Sequence, residues 1–271
     1  MAKKKPKSDQ TTLVTFLLDR SQSMTSCRDS TIEAFNGYIS ELRNATTPIL
    51  FTFLQFDHFG SSCDIAKVCF EKAPKDVPDL TKATYQPRGS TPLIEAAMKT
   101  IQALDTAIAG KTDKPKVVVC IQTDGEENQS GREYSWEALK ALIEAKTKEG
   151  WQFNFMGAGI DAYDQGQKMG MTTANTMSYD HMDKHATRAA FAASARNTSL
   201  YASGVFADTG YSATQKRASG DKFDPHGSLG AAGSLLRPGA ASLLNTRQPL
   251  DLTASGGSAP VVKSADLDLS Q

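Results

Sequence analysis

Leu13-Val14-Thr15-Phe16-Leu17-Leu18-Asp19-Arg20-Ser21-Gln22-Ser23 is the stretch that decides the fold. Its first six residues form a near-continuous apolar run, the pattern of a strand covered on both faces. Directly after it, Asp19, Ser21 and Ser23 place one carboxylate and two hydroxyls at every second position. Such spacing at the C-terminal end of a buried strand lets hard oxygen ligands converge on one cation. Asp-x-Ser-x-Ser is a short pattern that chance can supply, so its weight depends on the rest of the chain.

Working outward, apolar runs and helical periodicities alternate. Ile32, Phe35, Ile39 and Leu42 recur at spacings of three and four, which predicts a helix capped by Thr25 or Ser26. Ile49 to Phe56 reads as the next strand. Cys63 to Phe70 alternates more loosely after a Gly-Ser turn, as an antiparallel edge strand would. A polar connection from Ala73 to Arg88 leads to a second helix marked by Leu93, Ile94, Ala97, Ile101, Leu104 and Ile108. Its Pro92 is tolerated where the first turn's N–H groups are unpaired. Lys116 to Gln122 is the next buried strand, followed by a helix through Trp136, Leu139, Leu142 and Ile143 that ends at Gly150. Trp151 to Gly157 is a strand, and a short helix runs from Asp161 to near Gly170. Ala174 to Ser178 is a last short strand, and an alanine-rich helix spans about His185 to Tyr201.

Alternating strands and helices imply an α/β domain: a Rossmann-like, doubly wound, mainly parallel sheet with one antiparallel edge strand and helices on both faces. Ligands of such sheets bind where loops leave the carboxyl ends of the strands. Two more oxygen clusters fall there, Gly89-Ser90-Thr91-Pro92-Leu93 at the start of a helix and Thr123-Asp124-Gly125 at the end of a strand. In sequence order and strand context, these three clusters resemble the metal-ion-dependent adhesion site (MIDAS) of von Willebrand factor type A (vWA) domains, in particular intracellular members of bacterial or phage-like type. The resemblance covers about residues 11–205. It implies that Ser21, Ser23 and Thr91 ligate a metal directly, that Asp19 and Asp124 act largely through water, and that a partner carboxylate completes the site. A set with no His or Cys suits a hard cation; Mg²⁺ is expected, with Mn²⁺ and Ca²⁺ as alternatives. Arg20 and Gln22 are expected to point away from the ion and, with Ser90, Glu126 and Glu127, to form a partner-binding rim; as loop residues the two glutamates also read simply as exposed charge. A plain structural reading, in which Ser21, Ser23 and Thr91 cap helices and shape turns, leaves unexplained why three separate loops all supply oxygens.

The expected function is non-enzymatic: cation-dependent binding of a protein partner that supplies a carboxylate, with a ring-shaped AAA+ ATPase or another assembly among the partners the resemblance suggests. The alternative is a metal-dependent hydrolase or phosphatase using Asp19. Against it, no Gly-x-Ser-x-Gly elbow is present, and Ser21 stands where the second acid of an aspartyl-phosphate enzyme would be. Gly157-Ala158-Gly159 lacks the third glycine of a dinucleotide loop and reads as a tight turn, and His181 and His185 lack a third zinc ligand.

The charge balance of 30 basic against 30 acidic residues supplies no global field for nucleic acid or an anionic membrane. The Lys3-Lys4-Lys5-Pro6-Lys7 run reads as part of a disordered basic arm over residues 1–10. No apolar stretch approaches the ~18 residues that cross a bilayer, and no apolar signal core follows the lysines, so a cytoplasmic chain is expected. Cys27, Cys63, Cys69 and Cys120 lack C-x-x-C spacing and read as reduced packing thiols. The vWA-like domain is placed at residues 11–205, an undecided extension at 206–226, and a disordered Gly/Ser/Ala-rich tail at 227–271.

Overall fold

A computed structural model describes residues 10–224; the basic run Lys3 to Lys7 and the tail at 227–271 lie outside them. Six strands form one sheet: β1 (Thr12–Asp19), β2 (Ile49–Phe59), β3 (Ser62–Lys72), β4 (Lys116–Thr123), β5 (Gln152–Ala158) and β6 (Thr176–Tyr179). Their order is β3-β2-β1-β4-β5-β6. Five are parallel, and β3 pairs antiparallel to β2 at the edge. This is the vWA-like α/β fold. The strand order reverses at β1, whose two neighbours are β2 and β4, so the ends of β1 and β4 flank the topological switch point.

Strand periodicity splits the core in two. Val14, Phe16 and Leu18 point to one face, where they meet α1 (Arg28–Arg43) and α5 (Lys184–Ala202). Phe16 lies edge-on to Phe35 and Tyr38 of α1 and stacks on Phe191 of α5. Leu13 and Leu17 point to the other face, against α2 (Leu93–Ala109), α3 (Trp136–Lys148) and α4 (Ala162–Lys168). With both faces covered, β1 is buried along its whole length, as its unbroken apolar run requires.

One local expectation is corrected. Neither Thr25 nor Ser26 caps α1: residues Gln22–Cys27 form a 3-10 turn that feeds directly into the helix, whose N-cap is Cys27. Ser26 instead donates to the Ser23 carbonyl, and Ser30 to that of Cys27. His181 and His185 do not share a helix face, because α5 begins only at Lys184.

The extension after α5 packs on the domain. Thr209 is buried, and its carbonyl accepts from the side chains of Asn154 on β5 and Asn197 on α5. Tyr211 is buried too, and α6 (Ala213–Ala218) opens with a capping box between Ser212 and Gln215. Here we expect Ser135→Ala, which removes the hydroxyl that accepts from Ala138 N at the start of α3, to cost about 1 kcal/mol. A urea midpoint that does not move would contradict that assignment. All four cysteines are free, and burial pushes their thiols up to about 11 for Cys27 and Cys69 and about 12 for Cys63 and Cys120. No helix among the described residues is long and apolar enough to cross a membrane.

Candidate metal centre

The three oxygen clusters meet at the carboxyl ends of β1 and β4. Asp19 is fully buried; its Oδ1 accepts from Ser21 N at 2.6 Å and its Oδ2 from the Thr123 hydroxyl at 2.5 Å. The Oγ atoms of Ser21 and Ser23 are 3.0 Å apart, and Ser23 Oγ donates to Asp124 Oδ1 at 2.7 Å. Thr91 closes the group from the loop before α2. A methyl placed on Gly125 would stand 3.1 Å from Thr91 Oγ1, 3.7 Å from Ser23 Oγ and 3.9 Å from Thr123 Oγ1. All five expected positions therefore lie together, Asp19, Ser21 and Thr91 buried and Ser23 exposed at the mouth.

Loop-to-loop bonds hold this convergence. Gln22 N donates to Gly89 O, and Arg88 N to Arg20 O. Ser90 forms a two-way bridge with the backbone of His58 at the end of β2. Gly89 is obligatory there: its φ is +64°, and a Cβ would lie 2.0 Å from His58 O. Three further residues support the cluster, of which Tyr85 and Asn128 were not singled out by the sequence. Buried Tyr85 donates to the Asp19 carbonyl at 2.6 Å, Asn128 clamps Thr91 through both the Thr91 N–H and carbonyl, and Thr123 orients Asp19.

The rim residues separate. Arg20 turns away from the cluster, as strand-like alternation predicts, and pairs with Asp57 and Asp64. Gln22 is exposed and donates to Thr25 Oγ1. Glu126 is exposed. Glu127 is not free loop charge: its carboxylate accepts from Ile94 N in the first turn of α2 and from Gln129 N and Ser130 N. A carboxylate there complements the unpaired N–H groups and the positive end of the helix dipole.

Burial pushes the Asp19 carboxyl up to about 7, against the lowering effect of its Thr123 and Ser21 hydrogen bonds and with a further raising effect from Asp124. Asp124 is also raised by burial, opposed by Ser23 and by the nearby His181. No basic side chain within this group balances Asp19; the nearest arginine in sequence, Arg20, is committed elsewhere. Two carboxylates and three hydroxyls with no soft donor fit a hard divalent cation, whose charge would supply that balance. Among the described residues no group of three or more His, Cys, Asp and Glu side chains is placed to hold a metal ion, so a cation here would rest largely on hydroxyls.

Gly125 gives a direct test. Its φ is not in the left-handed region, so alanine is compatible with the backbone. Gly125→Ala is expected to cost about 1 kcal/mol in EDTA, since the buried Thr91 Oγ1 only 3.1 Å from the new methyl must shift, and in addition to cut stabilisation by Mg²⁺ or Mn²⁺, because the methyl enters the space between the Thr91 and Ser23 hydroxyls. Equal cation-induced melting shifts in wild type and variant would refute that placement.

No protein-family model matches this chain, and no curated protein matches it. Solved structures do. The pilus adhesin SpaC from Lactobacillus rhamnosus GG, in its open conformation, is 12% identical over 71% of this chain and 30% of its own, with a TM-score of 0.55. Proximal thread matrix protein 1 from the mussel byssus, with a zinc-occupied MIDAS motif, is 13% identical over 68% of this chain and 46% of its own, at 0.50. A von Willebrand factor type A protein from Catenulispora acidiphila is 13% identical over 71% of this chain and 43% of its own, at 0.48. The chain thus spans less than half the length of each of these proteins. At such identity the likeness to SpaC and to the byssus protein shows the fold.

Proposed function

We propose that this chain is a non-enzymatic protein-binding module whose upper sheet edge holds a divalent cation, Mg²⁺ in the first instance, that accepts an Asp or Glu carboxylate from a partner. The observation that carries the reading is the convergence of Asp19, Ser21, Ser23, Thr91 and Asp124 at the switch point. Hydroxyl-rich ligation leaves an ion much of its positive character, which favours an incoming carboxylate. The zinc-occupied MIDAS of the byssus protein, on the same fold, is consistent with this.

The surroundings suit a partner. Four large apolar side chains are exposed among the described residues, and three of them, Phe59 (57%), Met182 (74%) and Phe223 (44%), lie on this edge. Phe59 ends β2 beside the cluster; Met182 and Phe223 stand on the far side, beyond β5 and β6. Apolar side chains exposed on either side of the cluster give a partner apolar surface to bury around the charged centre. Both Asp19 oxygens are engaged and the residue is fully buried, which disfavours the alternative in which Asp19 attacks a phosphoryl or acyl group. A component of a larger assembly, such as a ring-shaped ATPase, is the kind of partner proposed.

The test is capture by the immobilised full chain from its source cells in Mg²⁺. Partners released by EDTA, and absent from beads carrying Ser21→Ala/Ser23→Ala, are the expected outcome. Retention indifferent to both changes would sink the proposal.

A further inference from the structure

A cavity of about 190 Å³ opens on the same edge as the cation cluster, lined by Gly159 after β5, Tyr179 and His181 at the end of β6, and Gly220 and Phe223 of the terminal segment. Strands lie about 4.8 Å apart and β5 alone separates β4 from β6, so the end of β6 is roughly 10 Å from that of β4 and Asp124. His181 belongs to the cavity wall and also acts electrostatically on Asp124. The walls are already fixed in place. Tyr179 is buried edge-on to Phe191, and its hydroxyl accepts from the Gln122 side chain at 2.9 Å. Asp221 anchors the terminal segment: its carboxylate accepts from Ser178 N at 3.1 Å, from the Tyr163 hydroxyl at 2.5 Å and from Phe223 N at 3.0 Å. Phe223 is thereby held at the cavity, yet it is still 44% exposed. The two formally charged lining groups, Asp180 and Lys222, pair with each other at 3.7 Å. A charged guest would have to compete with that pair, whereas an uncharged ring would meet Tyr179, His181 and Phe223 and cover the part of Phe223 that water now touches.

We propose that this cavity is a second subsite of the partner-binding edge and takes an uncharged aromatic side chain, placed two or three residues from the Asp or Glu that meets the Asp19, Ser21, Ser23, Thr91 and Asp124 cluster. The inference rests on the cation reading above and adds what else the partner must carry. The spacing follows from reach: an extended chain advances about 3.3 Å per residue, so two or three steps, with side chains leaning along the edge, cover the roughly 10 Å between cluster and cavity. Rings that pack edge-on or offset gain affinity beyond the area they bury, and walls held in place before binding cost the guest little reorganisation. The carboxylate then supplies the cation dependence of binding, and the ring supplies selectivity among acidic segments.

The experiment selects displayed random heptapeptides on the immobilised full chain in Mg²⁺ and elutes them with EDTA. Expected are peptides with Asp or Glu and, two or three positions away, Phe, Tyr or Trp. For one synthesised member, alanine in place of the ring should weaken binding to the wild-type chain about tenfold, but by less than about threefold on Phe223→Ala. Asparagine or glutamine in place of the acid should abolish EDTA-sensitive binding to both chains. Phe223→Ala should keep the full Mg²⁺-induced melting shift, which shows that its cation cluster is intact. Three results overturn the subsite and leave the cation reading standing: EDTA-eluted peptides with no aromatic at those positions, a basic or aliphatic residue there instead, or a ring whose removal costs as much on Phe223→Ala as on wild type. Recovery of no EDTA-eluted peptide overturns both. A full chain that sediments as a dimer, and as a monomer in Phe223→Ala, assigns the cavity to a second copy and likewise overturns the proposal.

Discussion

Asp19→Ala is expected to abolish the thermal stabilisation that Mg²⁺ or Mn²⁺ gives the wild-type chain. A ligand that binds only the native state contributes about 2.7 kcal/mol at a hundred times its Kd, which for a domain of this size moves the melting midpoint by roughly 5–10 °C. The readout is the difference between midpoints in EDTA and in excess cation, so that damage to the cation-free protein cancels. Such damage is expected with alanine, because Ser21 N and the Thr123 hydroxyl both lose their acceptor, at about 1–3 kcal/mol. Asp19→Asn separates the two effects. Its amide oxygen can still accept from Ser21 N, while its NH₂ group donates to Thr123, whose hydroxyl already has an alternative acceptor 3.2 Å away in Gly125 O. The asparagine variant should therefore melt close to wild type in EDTA and still lose most of the cation response. A full response in either variant would show that the ion, if bound, sits elsewhere.

The convergence behind that expectation was largely legible in the sequence, and what was not has a physical pattern. Strands β1 and β4 announce themselves because both faces are covered and their residues are almost uniformly apolar. The antiparallel β3 shows as looser alternation, and the long helices as three-four spacing. The oxygen positions were legible because each directly follows a strand or precedes a helix, where local pattern fixes its place. Tyr85 and Asn128 were not, because their partners, Asp19 and Thr91, lie in other loops, and nothing periodic in the connection from Ala73 to Arg88 says that it folds over the end of β1. The docking of Thr209 to Asp224 was hidden for a related reason. Polar bonds to Asn154 and Asn197 and a buried Lys216, rather than an apolar stripe, hold much of it, and apolar periodicity cannot report them. Glu127 shows the same blindness in reverse: a charge in a polar loop looks solvated until α2 is seen to offer it backbone donors.

Asp57→Ala should be the most destabilising change of a single charge in this domain, about 3–5 kcal/mol. Asp57 is fully buried, and its Oδ2 accepts from Arg20 Nε and Arg88 Nε, both at 2.8 Å. The same two guanidinium groups reach Asp64 through Nη2, at 2.9 and 2.6 Å. Two arginines thus share two carboxylates, and Arg88 also covers the Phe59 ring. The weights are unequal. Asp64 is 44% exposed and Arg88 37%, so their pair is screened and is worth at most about 1 kcal/mol. Arg20 is only 12% exposed, and removing Asp57 strands it against a single, half-solvated partner. Asp64→Ala should accordingly cost far less than Asp57→Ala, measured as urea midpoints at constant m; equal costs would refute the asymmetry. The consequence reaches the site. Arg20 lies between Asp19 and Ser21, Arg88 three residues before Thr91, and their backbones are joined by Arg88 N to Arg20 O at 2.8 Å. With Asp57 gone, two like charges face one another across the seam that sets Thr91 against Ser21. The cation-induced shift of the surviving folded protein should then fall as well, whereas Asp64→Ala should retain it.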